Sequence, residues 1–144
     1  MKTLFTAKAI AKEGRNGHTQ TADGKLSFTM APPDKAKGAN ATNPEELFAC
    51  AYAACFGGAL AVVAEKKKSP VKNAQVTAEV SLNSDEEKGF FLSAVLDVSI
   101  PDLDSAEAQK LVQEAHKICP YSKATRDNID VTLKVNHQAL AKAA

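Results

Sequence analysis

Residues 43–66, NPEELFACAYAACFGGALAVVAEK, decide the fold. From Leu47 to Ala64 the stretch runs eighteen residues without a charge, the shortest length usually read as a membrane span. Seven of the eighteen are alanine and two are glycine, a composition that inserts weakly into lipid. Small side chains also let helix backbones approach closely, so the segment reads instead as a helix buried on all sides in a protein core. Its start is well marked. Asn43 can cap, Pro44 suits the first helical position with its preset φ and missing N–H, and Glu46 falls three residues after the cap. The other register makes Thr42 the cap and Glu45 its partner. The proline favours the first, which leaves Glu45 without a capping role. The helix is expected from about Pro44 to Lys67.

Outward from this helix the pattern changes period. Upstream, the alternation in TLFTAKAIA (3–11) predicts a strand, and ADGKLSFTM (22–30) predicts an Asp-Gly turn feeding a second, so the chain opens as a meander. Between them KEGRNGHTQ (12–20) reads as a glycine-flanked loop or hairpin tip carrying Arg15. APPDKAKGANATNP (31–44) is a connector. Downstream, AQVTAEVSLN and GFFLSAVLDVSI read as a hairpin around the acidic turn SDEEKG. DSAEAQKLVQEAHKIC (104–119) is an amphipathic helix with Leu111, Val112, Ala115, Ile118 and Cys119 on one stripe, closed by Pro120. NIDVTLKV predicts a final strand. Strands, helix, strands, helix and strand make one α+β domain over 1–144, with no internal repeat.

Composition narrows the function. The 144 residues are 44% hydrophobic and 24% charged, as in a soluble globular protein. Eighteen basic against seventeen acidic residues give a net charge of +1, and no basic run interleaves with aromatics, which argues against a nucleic-acid partner. Lys8 and Lys12 interrupt any secretory signal, so the expected location is cytoplasmic. In a reducing compartment three cysteines are expected to be packing residues, metal ligands or transient redox groups.

Cys50 reads as packing. Five residues separate it from Cys55, about 140° around a helix axis, so the two face different ways. Cys119 ends a helix, where the carbonyl dipoles disfavour negative charge, which suits a resolving thiol better than an attacking one. Cys55 sits in mid-helix with no N-terminal dipole of its own, so its ionisation requires an imported cation, and Arg15 is the natural donor. His116 and Cys119, spaced i and i+3, could join Cys55 around a zinc ion, or His116 could act as a base; neither spacing is specific. His18 and His137 read as surface residues. No Cys-x-x-Cys, His-x-x-x-His or phosphate-binding glycine motif occurs.

NPEELFACAYAACFGGAL and HKICPYSKATRDNIDVTLKV, taken with GRNG, resemble, in the same order and nearly end to end, the signature segments of the organic hydroperoxide resistance (Ohr) proteins of the osmotically inducible protein C (OsmC) superfamily. The resemblance implies an OsmC-like α+β fold, with a long buried central helix and a second helix packed with antiparallel sheets in an intertwined homodimer. It implies a cysteine-based peroxidase that reduces alkyl and fatty-acid hydroperoxides to alcohols without haem, flavin or metal. The implied reductant is dihydrolipoamide of lipoylated proteins. By position, Cys55 matches the peroxidatic cysteine, Cys119 the resolving one, Arg15 the arginine that holds the thiolate, and Glu45 the carboxylate that holds the arginine. Leu47, Phe48 and Phe56 are candidates for an apolar substrate wall. Cys50 stands where relatives often carry alanine or glycine, and Glu46 where glutamine is common. Ten residues separate Glu45 from Cys55, about 15 Å along one helix, so the carboxylate is expected to come from a second subunit. The alternatives are a peroxidase of the OsmC branch, and a non-catalytic redox sensor or ligand-binding module of the same fold.

Overall fold

A pair of four-stranded sheets flanks the uncharged helix in chain order. The computed structural model describes residues 1–36 and 40–140; Lys37, Gly38 and Ala39 of the expected connector, and residues 141–144, lie outside the described residues. The chain divides into two compact units, Met1–Leu47 and the remainder from Phe48.

In the first unit β1 (Ala9–Lys12), β2 (His18–Thr21), β3 (Ser27–Met30) and β4 (Ala41–Thr42) pair in that order. β1 is shorter than the alternation predicts because β2 offers it only four partners, from Thr21 opposite Ala9 to His18 opposite Lys12. β2 itself takes the second half of the stretch read as a loop. The first half is a tight 3-10 turn, Gly14–Asn16, which carries Arg15. Two glycines make that turn possible: Gly14 sits at φ +55°, and a Cβ on Gly17 would collide with the Lys12 carbonyl oxygen. The Asp23-Gly24 turn then leads into β3 as expected, with Gly24 at φ +73°.

The long helix α1 covers Pro44–Lys66. Asn43 Oδ1 accepts from the Glu46 N–H at 2.9 Å, so Asn43 is the cap and Pro44 the first helical residue. Thr42 Oγ1 donates to Glu46 at 2.6 Å, which ties up the second acidic residue and leaves Glu45 free for other work. Along α1, Tyr52, Phe56, Ala59, Leu60, Val63 and Ala64 are buried at helical spacing. Cys50, Ala54, Gly58 and Ala61 form an opposite stripe of small, exposed residues. The expectation of burial on all sides is therefore met on one face only within a single chain. By length and composition alone α1 would pass for a membrane span, and a third of its apolar window is buried.

In the second unit β5 (Gln75–Asp85) and β6 (Gly89–Ser99) form the expected hairpin in unbroken antiparallel register from Gln75 opposite Ser99 to Asp85 opposite Gly89. Helix α2 (Ser105–Ile118) is capped by Asp104, whose carboxylate accepts the Ala106 and Glu107 N–H groups at 2.9 and 3.0 Å. Pro120 closes α2 but does not end the helical path: it opens a short helix, α3 (Pro120–Thr125), in which the proline takes an early position that needs no N–H. β7 (Asp130–Val135) then pairs with β6 in parallel, and β8 (Gln138–Ala139) returns antiparallel through Asn136 and His137, both at positive φ. Both sheets are thus mixed rather than purely antiparallel, β4 lying parallel to β3 and β7, which returns through the helical crossover, parallel to β6. Tyr52, Phe56, Leu60 and Val63 of α1, Leu96, Val98 and Ile100 from β6 and its end, and Leu111, Val112 and Ala115 of α2 make the core.

Asn43→Ala removes the α1 cap and is expected to destabilise the protein by about 1 kcal/mol, read as a lower urea midpoint at unchanged slope. An unchanged midpoint would mean that the cap contributes nothing to α1.

Candidate active site

Two of the sequence-derived pairs are assembled, one in each unit. In the first, the Gly14–Asn16 turn and the free first-turn carboxylate of α1 bring Arg15 onto Glu45. Arg15 Nη1 donates to Glu45 Oε2 at 2.9 Å and Nη2 to Oε1 at 2.6 Å, a two-pronged guanidinium–carboxylate contact. The Glu45 side chain is only 14% exposed, the Arg15 side chain 51%. The Arg15 hydrogen bond holds the Glu45 carboxyl below the usual carboxylate range, and the same bond raises Arg15. The guanidinium is thus oriented by Glu45 while half of the Arg15 side chain stays exposed.

In the second unit, Cys55 on α1 and Cys119 at the α2–α3 junction lie with their sulfurs 3.6 Å apart. Cys119 is fully buried and Cys55 half-buried. Cys119 belongs to both helices: its N–H closes the last turn of α2 on the Ala115 carbonyl at 2.9 Å, and its carbonyl accepts the Lys123 N–H at 3.0 Å to open α3. The sulfur–sulfur gap exceeds a disulfide bond length of about 2 Å, so the two thiols are neighbours that are not bonded. Burial pushes the Cys55 thiol up, the Tyr121 backbone N–H works against that, and the neighbouring Cys119 adds to the rise. The sequence missed this N–H donor. Its signal was Pro120 directly after the cysteine: a proline that begins a helix leaves the next N–H groups free to point outward.

The remaining candidates fall into place as follows. Phe48 packs its ring on Tyr52 and Tyr121, with centroids 6.0 and 5.9 Å away, and like Cys55 is partly buried against the core. Phe56 has no exposed surface and lies against His116, as a core residue. Leu47, in the first unit, is half-buried. Cys50 is exposed on the small-residue stripe of α1, on a different face from Cys55. His116 bonds the Ser122 hydroxyl through Nδ1 at 2.9 Å rather than a thiol, and its basicity is lowered by burial and then by Arg126. Among the described residues no three His, Cys, Asp or Glu side chains converge as a metal-ligand set, so a zinc site built on Cys55, His116 and Cys119 finds no support. His137 is a surface residue paired with Asp97 at 2.7 Å, while His18 is half-buried and bonded to Ser27 at 3.1 Å.

Residues 35–134 match the family of OsmC-like proteins. The chain is 48% identical over 134 residues to the organic hydroperoxide resistance protein OhrB of Bacillus subtilis, covering 92% of this chain and 98% of that one. The crystal structure of OhrB superposes with a TM-score of 0.87 over 92% of this chain and 99% of that chain. A crystal structure of an organic hydroperoxide resistance protein from Elizabethkingia anophelis, with thiocyanate bound, is 45% identical, with a TM-score of 0.84 over 94% and 98% of the two chains.

The Glu45 carboxyl, followed by carbon-13 NMR, is expected to titrate below free glutamate and to return to the ordinary range in Arg15→Ala. Because its folded-state value is depressed, the stabilisation from this pair is present above the ordinary carboxylate range and is lost as pH falls through the depressed value. An unshifted Glu45 in the wild type would mean that the pair does not persist in solution.

Proposed function

The chain belongs to the OsmC/Ohr family, and from that premise we propose that it is a two-cysteine peroxidase for organic hydroperoxides. Relatives named organic hydroperoxide resistance proteins support a peroxide-resistance role. The observation that carries the chemistry is the 3.6 Å approach of a half-buried and a fully buried thiol from distant parts of the chain.

The Cys55 thiolate attacks the terminal oxygen of the hydroperoxide. The O–O bond breaks, the departing alkoxide takes a proton and leaves as the alcohol, and Cys55 becomes a sulfenic acid. Cys119 then attacks the Cys55 sulfur, its proton and the hydroxyl leave as water, and the two sulfurs form a disulfide. Two electrons and two protons from a dithiol, by family resemblance dihydrolipoamide on a lipoylated protein, restore both thiols in a reducing, cytoplasmic setting. Cys55 is half-buried and, like Phe48 and Tyr121, packs against the apolar core, a setting that favours alkyl and acyl hydroperoxides over hydrogen peroxide.

One requirement remains. Burial raises the Cys55 thiol within its own chain, so the attacking thiolate needs an imported cation. Glu45 anchors Arg15, yet ten residues of α1, about 15 Å, separate Glu45 from Cys55. A homodimer meets both conditions: a second copy supplies the Arg15–Glu45 pair to this copy's Cys55, with the two α1 helices antiparallel and their bare stripes of small residues in contact. Cys50, on that stripe, is then a packing residue small enough for close helix approach.

Cys55→Ser and Arg15→Ala are each expected to abolish dithiol-dependent turnover of an organic hydroperoxide. Unfolded together and refolded at equal ratio, they should recover about a quarter of wild-type activity, since half the dimers are mixed and each mixed dimer has one intact site of two. No recovery from the mixture, or an active monomer by light scattering, would overturn the shared site. A Cys55 that oxidises without any turnover with dithiols would favour the redox-sensor alternative.

A further inference from the structure

Four polar side chains meet inside the apolar core of the second unit. Tyr52 Oη on α1 lies 3.1 Å from Ser122 Oγ and 3.1 Å from Thr125 Oγ1, both on α3. His116 Nδ1 on α2 lies 2.9 Å from Ser122 Oγ. Thr125 Oγ1 lies 3.0 Å from the Tyr121 carbonyl oxygen. Tyr52 and Ser122 are fully buried, Thr125 is 5% exposed and His116 is half-buried.

The order of the protons follows from the last contact. Thr125 Oγ1 also lies 3.3 Å from the Ser122 carbonyl oxygen, and carbonyls only accept, so the Thr125 proton is committed to these backbone acceptors. Tyr52 must therefore donate to Thr125, Ser122 must donate to Tyr52, and His116 must carry a hydrogen on Nδ1 and donate it to Ser122. With the Thr125 proton on the backbone, no other arrangement gives each side-chain contact one proton. The chain runs one way, from the His116 ring to the backbone of the residue that follows Cys119 and Pro120.

We propose that this one-way chain is the clamp that sets the resolving turn, with His116, Ser122, Tyr52 and Thr125 as positioning residues for the Cys55–Cys119 reaction. α3 has six residues, too few to hold a helix unaided. Two of its hydroxyls are pinned to Tyr52, which sits three residues before Cys55 on α1. The other end of the same short helix presents the Cys119 sulfur and the Tyr121 N–H to Cys55. The relation between the two sulfurs is thus fixed through the Tyr52 hydroxyl, and His116 supplies the hydrogen that orients the whole row. The catalytic significance rests on the two-cysteine function proposed above; the clamp itself does not.

Nitrogen-15 NMR of His116 in its neutral form decides the proton order without any peroxide: the hydrogen is expected on Nδ1, and a hydrogen on Nε2 would overturn the proposal. In the reduced protein, Tyr52→Phe and His116→Leu should speed alkylation of Cys119 about fivefold, the worth of one net hydrogen bond, while His116→Asn, whose amide N–H can replace the Nδ1 donor, should restore protection. After an organic hydroperoxide, the ratio of Cys55 sulfinic acid to Cys55–Cys119 disulfide should rise by a similar factor in the first two variants and recover in the third. Wild-type alkylation rates and ratios in folded Tyr52→Phe and His116→Leu would sink the clamp. A wild type that forms no disulfide at all would sink the peroxidase function instead, leaving the tautomer and the alkylation rates to decide the clamp.

Discussion

A thiol against an apolar wall does not ionise unless charge or hydrogen-bond donors are brought to it, and everything about this chain is arranged around that constraint. Cys55 has the wall: it joins the partly buried residues packed on the core, and its burial opposes the thiolate. Within the chain the Tyr121 N–H at the head of α3 works against that burial, and the proposed dimer would add the guanidinium that Glu45 holds. In the proposed reaction a charge held in advance needs no reorganisation when a peroxide arrives, and that would give a carboxylate resembling an ordinary helix-start residue a part in the chemistry.

The architecture serves both answers. α1 begins with Asn43 as its cap and Glu46 bonded to Thr42, so Glu45 alone of the first-turn acids is available for Arg15. Eleven residues after Pro44, the same helix presents Cys55. The crossover from β6 through α2 and α3 to β7 brings Cys119 back over α1, and the polar row from His116 to Thr125 keeps that return in place inside an otherwise apolar core. The bare stripe of Cys50, Ala54, Gly58 and Ala61 is an uncharged surface that water solvates poorly, and the proposed second copy would cover it.

Much of this was legible in the sequence, because the strongest signals were local. Asn43-Pro44 marked the start of α1, Asp23-Gly24 the first turn, and the alternation from Gln75 to Ser99 the long hairpin. Arg15 was legible through its glycine frame, while Glu45, which the capping register left without a role, was paired with it only through the family resemblance. What escaped depended on tertiary partners. β2 was hidden because His18–Thr21 carries no apolar alternation and becomes a strand only between β1 and β3. α3 was hidden because a proline after a helix signals a stop as readily as a new start. Phe56 looked like substrate wall and Phe48 like its equal, but helical phase turned the first into the core and left the second beside Tyr121. The hydroxyl row could not be read at all, since Ser122 and Thr125 look like ordinary polar positions until Tyr52 reaches them from seventy residues away.

The central claim is that Cys55 and Cys119 are the two halves of one redox reaction. Peptide mass spectrometry after one equivalent of an organic hydroperoxide, with free thiols blocked afterwards, tests it most directly. The account predicts a loss of two hydrogens in a linked peptide pair joining Cys55 to Cys119, with Cys50 still free to alkylate. Free alkylation of both Cys55 and Cys119, or a link that runs through Cys50, would contradict it.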